Sequence, residues 1–256
     1  MKGRGIFMLK VALIGFYDLR ENTWETVGKL SKWGYKAIEH GAFLLRGNVE
    51  ENLKKLAEYD MKVLSISSDL DGFKNNIDDI ISKAKLIGVK YVICFWSDPR
   101  DYGQAVEIAE TFNKAGETLR REGLTLCYHN HDHEFRKTFN GVKYFDLLMS
   151  LTSPENVALN LDIGWVTVGG ENAVGLVRRL DKRIKLMHFK DFYDLDNRNS
   201  FTALGTGKVD IQSLLAEADK IGVEYITVEQ DVLRNLNGDD TVLLSYLTLK
   251  ESGLVE

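Results

Sequence analysis

The sequence predicts a single (β/α)8 TIM barrel of the α/β class, with residues 1–256 as one domain. Short runs rich in apolar and β-branched residues alternate eight times with longer segments that have helical periodicity. Some runs, such as VALIGF and YVICFW, are apolar throughout, which is typical of parallel strands buried on both faces. Eight such units in a chain of this length are most simply accommodated by a closed barrel, and an open, doubly wound sheet is the alternative.

The predicted strands are each followed by a segment that carries apolar residues at positions i, i+3, i+4 and i+7. Such spacing predicts an amphipathic helix with one buried face. The strands are predicted at residues 11–16, 37–40, 62–67, 91–96, 124–130, 157–162, 184–190 and 225–230. Two of the helical stripes are Ile77, Ile80, Ile81, Ala84 and Ile87, and Ala105, Ile108, Ala109, Phe112 and Leu119.

Glycines recur where a predicted helix ends and the next strand begins. A helix often ends in a residue with left-handed backbone geometry, which glycine adopts without steric cost. These glycines are Gly34, Gly88, Gly123 and Gly222. The two prolines, Pro99 and Pro154, fall in predicted loops, and no Pro-rich or Ser-rich linker divides the chain. The pattern therefore supports one domain.

The composition, 44% hydrophobic and 28% charged, is that of an ordinary globular protein. A net charge of -5 argues against nucleic acid as the main partner, since phosphates require a basic face. Cys94 and Cys127 lie in apolar strand-like runs, which predicts core residues of a reduced, cytoplasmic protein. We expect no signal peptide, because Lys2 and Arg4 are not followed by a small-residue cleavage site, and no membrane span.

All five histidines lie at or just beyond a predicted strand end. The carboxyl ends of the strands meet at one face of a barrel, where active sites of this fold form. The densest cluster is LTLCYHNHDHEF at residues 124–135, which contains three histidines, an aspartate and a glutamate. A polar loop with satisfied side chains is the alternative for this segment alone, but the distribution over several strand ends favours a site.

Three strand ends in succession carry metal-ligating side chains, namely Asp162, His188 and Glu229. Two carboxylates and an imidazole, with a further ligand from strand 5, suit one Mn²⁺, Co²⁺, Mg²⁺ or Zn²⁺ ion with open coordination positions. Such an ion can stabilise the negative charge that forms when a proton leaves the carbon next to a carbonyl. The sequence has no Walker-type phosphate loop and no defensible Ser-His-Asp order.

Five segments resemble the xylose isomerase-like TIM-barrel superfamily in its sugar phosphate isomerase/epimerase branch. They are LCYHNHDHEF, ALNLDIGWVTVGG, IKLMHFKD, ALGTGKVDI and ITVEQD. The branch is similar to inosose dehydratases, D-tagatose 3-epimerase-type enzymes and, more distantly, endonuclease IV. The resemblance extends from GYKAIEHG near residue 40 to the last strand. It implies one divalent metal at the strand ends and chemistry next to a sugar carbonyl.

The resemblance implies that Asp162, His188 and Glu229 are metal ligands and that Glu229 is also catalytic. Epimerases of the superfamily usually place a further glutamate within strand 5, where this chain has LCYH. Glu134 is therefore the predicted fourth ligand and a catalytic residue, with His131 as the alternative ligand. This departure weakens the assignment of a mechanism in which two glutamates work on opposite faces of the sugar.

Further roles are predicted with alternatives. Lys190 is predicted to stabilise an oxyanion, or to form a salt bridge with a residue such as Asp191. His129, on the same strand face as His131, is predicted to act as an acid or base, or to support the metal. The predicted substrate-binding residues are Glu39, His131, Trp96 and Trp165. The alternatives are an ion pair for Glu39 and packing for the tryptophans, and a solvated loop position is favoured over anion binding for Arg198.

The predicted function is a divalent-metal-dependent isomerase or epimerase that abstracts a proton next to the carbonyl of a keto sugar or sugar derivative. The alternative is an inosose dehydratase-like or keto-glycoside lyase, which begins with the same step and then expels a β-leaving group. Remote alternatives are an endonuclease IV-like DNA-repair enzyme, which would need more histidine ligands and a basic face, and a non-catalytic sugar-binding barrel. The expected partner is a small sugar, with no nucleic acid and no membrane, and a homo-oligomer is compatible with the resemblance.

Overall fold

The computed structural model describes residues 8–15 and 22–256, in which one parallel sheet is surrounded by helices. We number its strands β1 to β8 and treat two short segments, interrupted at Leu64, as β3. The strands are β1 Lys10–Ile14, β2 Ala37–Ile38, β3 Lys62–Val63 with Ser65–Ser67, β4 Tyr91–Cys94, β5 Thr125–His129, β6 Val157–Asp162, β7 Ile184–Phe189 and β8 Tyr225–Glu229.

The sheet closes on itself through β3. Its first segment pairs with β2, its second segment pairs with β4, and β8 pairs with β1, so the sheet returns to β3 from both sides. Leu64 still donates its N–H to the carbonyl oxygen of Ile38 at 3.0 Å. All pairings of this sheet are parallel. The predicted (β/α)8 barrel is confirmed.

The helices cover the outside of the barrel between successive strands. They are α1 Thr23–Trp33, α2 Val49–Glu58, α3 Leu70–Asn75, α4 Ile77–Ile87, α5 Tyr102–Arg121, α6 His133–Arg136, α7 Tyr144–Leu151, α8 Ile163–Val168, α9 Ala173–Leu180, α10 Ile211–Ile221 and α11 Gly238–Glu251, with 3-10 turns at Gly41–Leu45 and Asp181–Arg183. Both predicted stripes, on α4 and α5, face the core. None of the described helices is long and apolar enough to span a membrane.

The predicted glycine positions are confirmed. Gly34, Gly88 and Gly222 are the C-caps of α1, α4 and α10 with φ of 106°, 79° and 76°, and Gly123 also has a positive φ. Several strands are shorter than predicted, because pairing stops where the polar mouth begins. Strand β2 ends at Ile38 and β4 at Cys94, and Phe16, the predicted end of the first strand, lies outside the described residues.

Eight apolar side chains fill the interior of the barrel, one from each strand. They are Ala12, Ala37, Leu64, Ile93, Cys127, Ala158, Leu186 and Tyr225. Three alanines beside larger residues let the layer interdigitate, as in other barrels of this kind. Cys127 and Cys94 are free and buried, and burial raises the pKa of both thiols, that of Cys94 to about 12. The cysteines are therefore core residues, as predicted.

Candidate active site

The polar site lies directly above the apolar layer, because side chains of a strand alternate between its two faces. Two residues after Cys127, Ala158, Leu186 and Tyr225, the inward-facing positions are polar. They are His129, Asn160, His188 and Thr227, and the next inward positions are His131, Asp162, Lys190 and Glu229. The step from apolar to polar occurs at the same height on β5 to β8. The barrel therefore presents a buried polar surface at its carboxyl end.

Four side chains converge there, and their ligand atoms all lie within 4.8 Å of one another. They are His129, Asp162, His188 and Glu229. One comes from each of β5 to β8, and His129 and Asp162 are almost fully inaccessible to solvent. The buried atoms His129 Nδ1 and Asp162 Oδ2 make no hydrogen bond to the described residues. Two imidazoles and two carboxylates with unsatisfied acceptors fit a divalent transition metal.

His188 is held between two carboxylates. Its Nδ1 lies 2.6 Å from Glu229 Oε2, and its Nε2 lies 2.8 Å from Glu39 Oε2 and 3.0 Å from Asn160 Nδ2. Burial on its own lowers the pKa of His188, but the carboxylates of Glu39 and Glu229 outweigh it and raise the pKa to about 10. The ring is therefore oriented with Nε2 toward Glu39 and Nδ1 toward Glu229.

Glu39 is buried with both carboxylate oxygens hydrogen-bonded inside the protein. Oε1 accepts from Asn160 Nδ2 at 2.6 Å, and Oε2 accepts from Thr227 Oγ1 at 2.8 Å besides its contact with His188. Glu39 also lines the cavity described below. Its contact with His188 is the ion pair given as the alternative for Glu39, and the predicted substrate contact stays a prediction.

Lys190 places a buried ammonium among three carboxylates. Its Nζ lies 3.2 Å from Asp162 Oδ2, 3.1 Å from Glu229 Oε2 and 2.9 Å from Asp231 Oδ2. Burial lowers the pKa of Lys190, but these carboxylates outweigh it and raise the pKa.

The two acids beside Lys190 respond differently to burial. Burial raises the pKa of Asp162 to about 6, although the charge of Lys190 opposes this shift. For Glu229 the charges of Lys190 and His188 outweigh burial and hold the pKa well below its usual range.

Glu134 lies in a second group of donor atoms, with His131 and His133. Its Oε1 accepts from the Tyr128 hydroxyl at 2.6 Å, and its Oε2 accepts the His131 backbone N–H at 2.8 Å and lies 3.2 Å from His133 Nδ1. The carboxylate is thus turned back toward the start of α6, as in a capping box. The structure places His129, instead of Glu134, beside Asp162, His188 and Glu229.

His131 stands at the edge of the four-residue group, with ring centroids 5.0 Å from His129. Burial, followed by the charge of Lys190, lowers the pKa of His131 to about 3, so the ring is neutral near pH 7. Its buried Nδ1 has no hydrogen-bond partner in residues 8–15 and 22–256. His131 can therefore meet a substrate hydroxyl or oxyanion.

A cavity of about 560 Å³ opens over this group. Its polar side contains Glu39, His129, His131, Glu229 and Asp231, and its apolar side contains Leu13, Ile14, Leu30, Ile38, Phe43 and Phe95, with His40 and Arg46 nearby. An apolar pocket with a few convergent polar groups is the usual form of a small-molecule site. A substrate in the cavity would therefore reach His129 and Glu229, two of the four donor residues.

The two predicted tryptophans do not occur among the described residues that line this cavity. Trp96 is half exposed and packs on the rings of His131 and His133, with centroids at 4.9 and 4.4 Å. Trp165 is buried between Lys190 Nζ, 4.9 Å from the ring centroid, and the Arg198 guanidinium, 5.3 Å from it. Trp96 therefore packs against His131 and His133, and Trp165 packs against Lys190, without contacting the cavity.

Sequence reasoning missed Asn160, Thr227 and Phe95. Asn160 and Thr227 are polar residues inside strands that are otherwise buried, and both bond Glu39. Their spacing of two residues from Asp162 and Glu229 was the available signal, since it puts them on the same strand face. Phe95 lies two residues after the interior Ile93 and faces the cavity for the same reason. Arg198, in contrast, pairs with Asp132 at 2.9 Å.

Comparison with known proteins identifies the class. Residues 27–241 match the xylose isomerase-like TIM barrel family, and the chain belongs to that family. An inosose dehydratase from Mesomycoplasma hyopneumoniae (strain 7448) is 26% identical over 250 residues, covering 80% of each protein. The structure of a sugar phosphate isomerase/epimerase from Parabacteroides distasonis ATCC 8503 has a TM-score of 0.82 at 19% identity and covers 100% of this chain and 98% of that one. The IOLI protein with a bound zinc atom has a TM-score of 0.71 at 16% identity, covering 95% and 98%.

Proposed function

We propose that the protein is a divalent-metal-dependent enzyme that removes the proton next to the carbonyl of a keto sugar or a cyclic polyol ketone. The observation that carries the proposal is the buried group of His129, Asp162, His188 and Glu229, of which His129 and Glu229 line the cavity. The match to inosose dehydratases over most of the chain supports a substrate of this chemistry.

These four residues would hold the metal. The set differs from the predicted one in having His129 where Glu134 was expected, because the Glu134 carboxylate is engaged by Tyr128 and the His131 amide. Two nitrogens and two oxygens suit Zn²⁺, Mn²⁺ or Co²⁺. When bound, the ion would polarise the substrate carbonyl and so make the neighbouring C–H more acidic.

Glu229 is the proposed base. The charges of Lys190 and His188 keep its carboxyl ionised, and it lines the cavity, so it can accept the proton that leaves the carbon. Lys190 and His131 are the proposed partners of the negative charge that develops on the substrate oxygen. Trp165 fixes the Lys190 ammonium in place from behind.

The fate of that proton separates the two reactions. If Glu229 returns it to a β-hydroxyl, the C–O bond breaks, a C=C bond forms and water leaves, as in a dehydratase. If it returns to a carbon, the product is an isomer or an epimer. An epimerase also needs an acid on the opposite face, and the end of β5 carries His129 and His131 there and no carboxyl group within the strand. The geometry therefore favours the lyase over the epimerase within the proposed class.

The test is proton NMR of inososes and keto sugars incubated in D2O with the Mn²⁺-loaded protein. We expect deuterium at the carbon next to the carbonyl, and a conjugated product if water is lost. An isomeric product without dehydration would assign an isomerase or epimerase instead. No exchange in any member of a broad panel would contradict the proposal, and cleavage of abasic DNA would then be the next assay.

A further inference from the structure

The backbone of His40 has left-handed geometry at the mouth of the barrel, with φ 69° and ψ 73°. Among the described non-glycine residues, only Asp60 and Asn140 share a positive φ. All three residues are exposed, but of the three only His40 lines the cavity. Histidine adopts this geometry more often than most residues, but it is still a sparsely populated conformation, and such positions concentrate at functional sites when they border a cavity.

The strained backbone is held by two serines of β3. The His40 N–H donates to Ser65 Oγ at 3.2 Å, and His40 Nδ1 lies 2.9 Å from Ser67 Oγ. Because Ser67 holds Nδ1, the ring has a fixed direction, and no residue of the described ranges hydrogen-bonds its Nε2. The imidazole of His40 therefore has a fixed orientation, and its Nε2 is available for a hydrogen bond to a ligand.

That imidazole faces the cavity across the ring of Phe95. The centroids of His40 and Phe95 are 6.4 Å apart, and Phe95 lies 5.1 Å from His129 and 6.3 Å from His188 on its other side. His40, Phe95 and His129 all line the cavity. A ring-shaped ligand resting on Phe95 would therefore have one edge at the four donor residues and the other edge at His40.

We propose that His40 is a substrate-recognition residue that hydrogen-bonds a hydroxyl of a sugar or cyclic polyol whose apolar face rests on Phe95. The inference rests on the proposed function for the class of substrate. It adds a polar contact remote from the reacting carbon, which explains why the chain retains a histidine where glycine would relieve the backbone. Apolar contact through a ring face with polar contacts at its edges is the usual way such pockets orient a ligand.

The test compares His40→Gly with Asn140→Gly. Both remove a side chain from a left-handed position, but Asn140 lies in the exposed turn between Phe139 and Val142, which pair with each other. The probes are myo-inositol, xylitol and D-glucose, titrated calorimetrically into the Mn²⁺-loaded protein. We expect His40→Gly to raise the dissociation constant of at least one polyol about ten-fold, the loss of one hydrogen bond, without lowering the melting temperature.

Asn140→Gly should bind the polyol as the unchanged protein does, and Ser67→Ala should weaken it by a smaller factor because the ring loses its fixed direction. Unchanged affinity in His40→Gly, no binding of any of the three polyols by the unchanged protein, or a parallel loss of Mn²⁺ affinity would each overturn the inference. Polyol binding that depends on His40 without deuterium exchange into any ketone would leave the inference standing and refute the proposed function. Deuterium exchange into a ketone, together with polyol binding that is unchanged in His40→Gly, would support the proposed function and refute the inference about His40.

Discussion

At the scale of single residues, the four donor side chains make different contributions to the site. Asp162 is buried, and its Oδ1 caps the start of α8 by accepting the Trp165 N–H at 2.8 Å. That hydrogen bond leaves Oδ2 directed toward Lys190 and the other donors. One oxygen therefore fixes the carboxylate while the other is available to a metal.

Asp162→Asn should lose the metal while the barrel stays folded. The amide can still accept the Trp165 N–H, but it removes the charge that a divalent ion requires. We expect close to one Mn²⁺ or Zn²⁺ per unchanged chain and almost none in the variant, measured by elemental analysis after dialysis. Asp132→Asn is the matched control, because Asp132 is a buried acid that pairs with Arg198 and Arg136 outside the donor group. Equal metal content in the two variants would refute the ligand assignment.

Glu39→Gln should weaken metal binding even though Glu39 is not one of the four proposed ligands. Its side-chain amide would place a donor among three groups that now bond the carboxylate, and His188 would lose its orientation. Loss of such an orienting partner typically lowers metal affinity about 10- to 100-fold. Competition with a chelating dye measures the effect, and Glu50→Gln on the surface of α2 is the control. An affinity equal to that of the control would mean that Glu39 does not orient the ligand.

At the scale of elements, helix α5 and the turn that precedes β6 meet through a glycine. A Cβ added to Gly116 would lie 2.0 Å from the backbone carbonyl oxygen of Asn156, so the helix cannot approach the barrel with any side chain at this position. Glycine is otherwise unfavourable inside a helix. The close contact therefore explains the residue.

Gly116→Ala should destabilise the protein by about 1–3 kcal/mol even though alanine favours helices, because the backbone would have to move. Urea denaturation followed by circular dichroism measures the change. Gly103→Ala, in the exposed first turn of the same helix, should be neutral or slightly stabilising. The same effect for both substitutions would show that propensity, and not the contact with Asn156, determines the outcome.

Helices α9 and α10 are joined by an ion pair with a pH dependence. Glu217 accepts from Arg178 at 2.6 Å and from Lys220 at 2.8 Å, and these partners lower the pKa of Glu217 to about 2 from an ordinary 4.5. Since its pKa is depressed in the folded state, its contribution to stability is present above pH 4.5 and is lost as the pH falls toward 2.

Between pH 5 and pH 8, Glu217→Gln should accordingly melt about 2 °C below the unchanged protein. The effect is small because Arg178 and Lys220 are largely exposed to solvent. The difference from the unchanged protein should shrink below pH 4.5, because Glu217 of the unfolded chain then takes up a proton while the folded protein keeps it ionised down to about pH 2. Thermal unfolding at a series of pH values tests this. A difference that stays constant down to pH 3.5 would assign the loss to packing instead of charge.

At the scale of the whole molecule, the sequence was sufficient to predict the barrel and most of the polar residues at the carboxyl ends of its strands. Repeating strand and helix patterns depend on local periodicity, so the stripe on α4 and the caps at Gly34 and Gly222 could be predicted. The position of Asp162, His188 and Glu229 at one face follows from the same alternation. The roles assigned to them stay predictions, to be tested by the metal measurements above.

Other features depend on directions that a linear pattern does not contain. Glu134 lies three residues beyond His131, and only the turn into α6 decides that its carboxylate points back to that amide. The break at Leu64, where the pairing of β3 changes from β2 to β4, leaves no mark in the sequence KVLSIS around it. The left-handed backbone of His40 was equally hidden, since histidine adopts this geometry more often than most residues but at too few positions for one sequence to show where.

The buried ammonium of Lys190 has a consequence for how the protein is assembled. Three acids brought together inside a barrel would repel one another strongly, but the chain supplies its own counter-ion among Asp162, Glu229 and Asp231. Folding should therefore precede metal loading, in contrast to small zinc domains that are unfolded without their ion. After chelation, the near-ultraviolet circular dichroism should be retained, and the melting temperature should fall only by the amount that mass action of the free ion accounts for. The metal site would then be formed before any ion is present, and the ion that occupies it would depend on which suitable metal is available after folding.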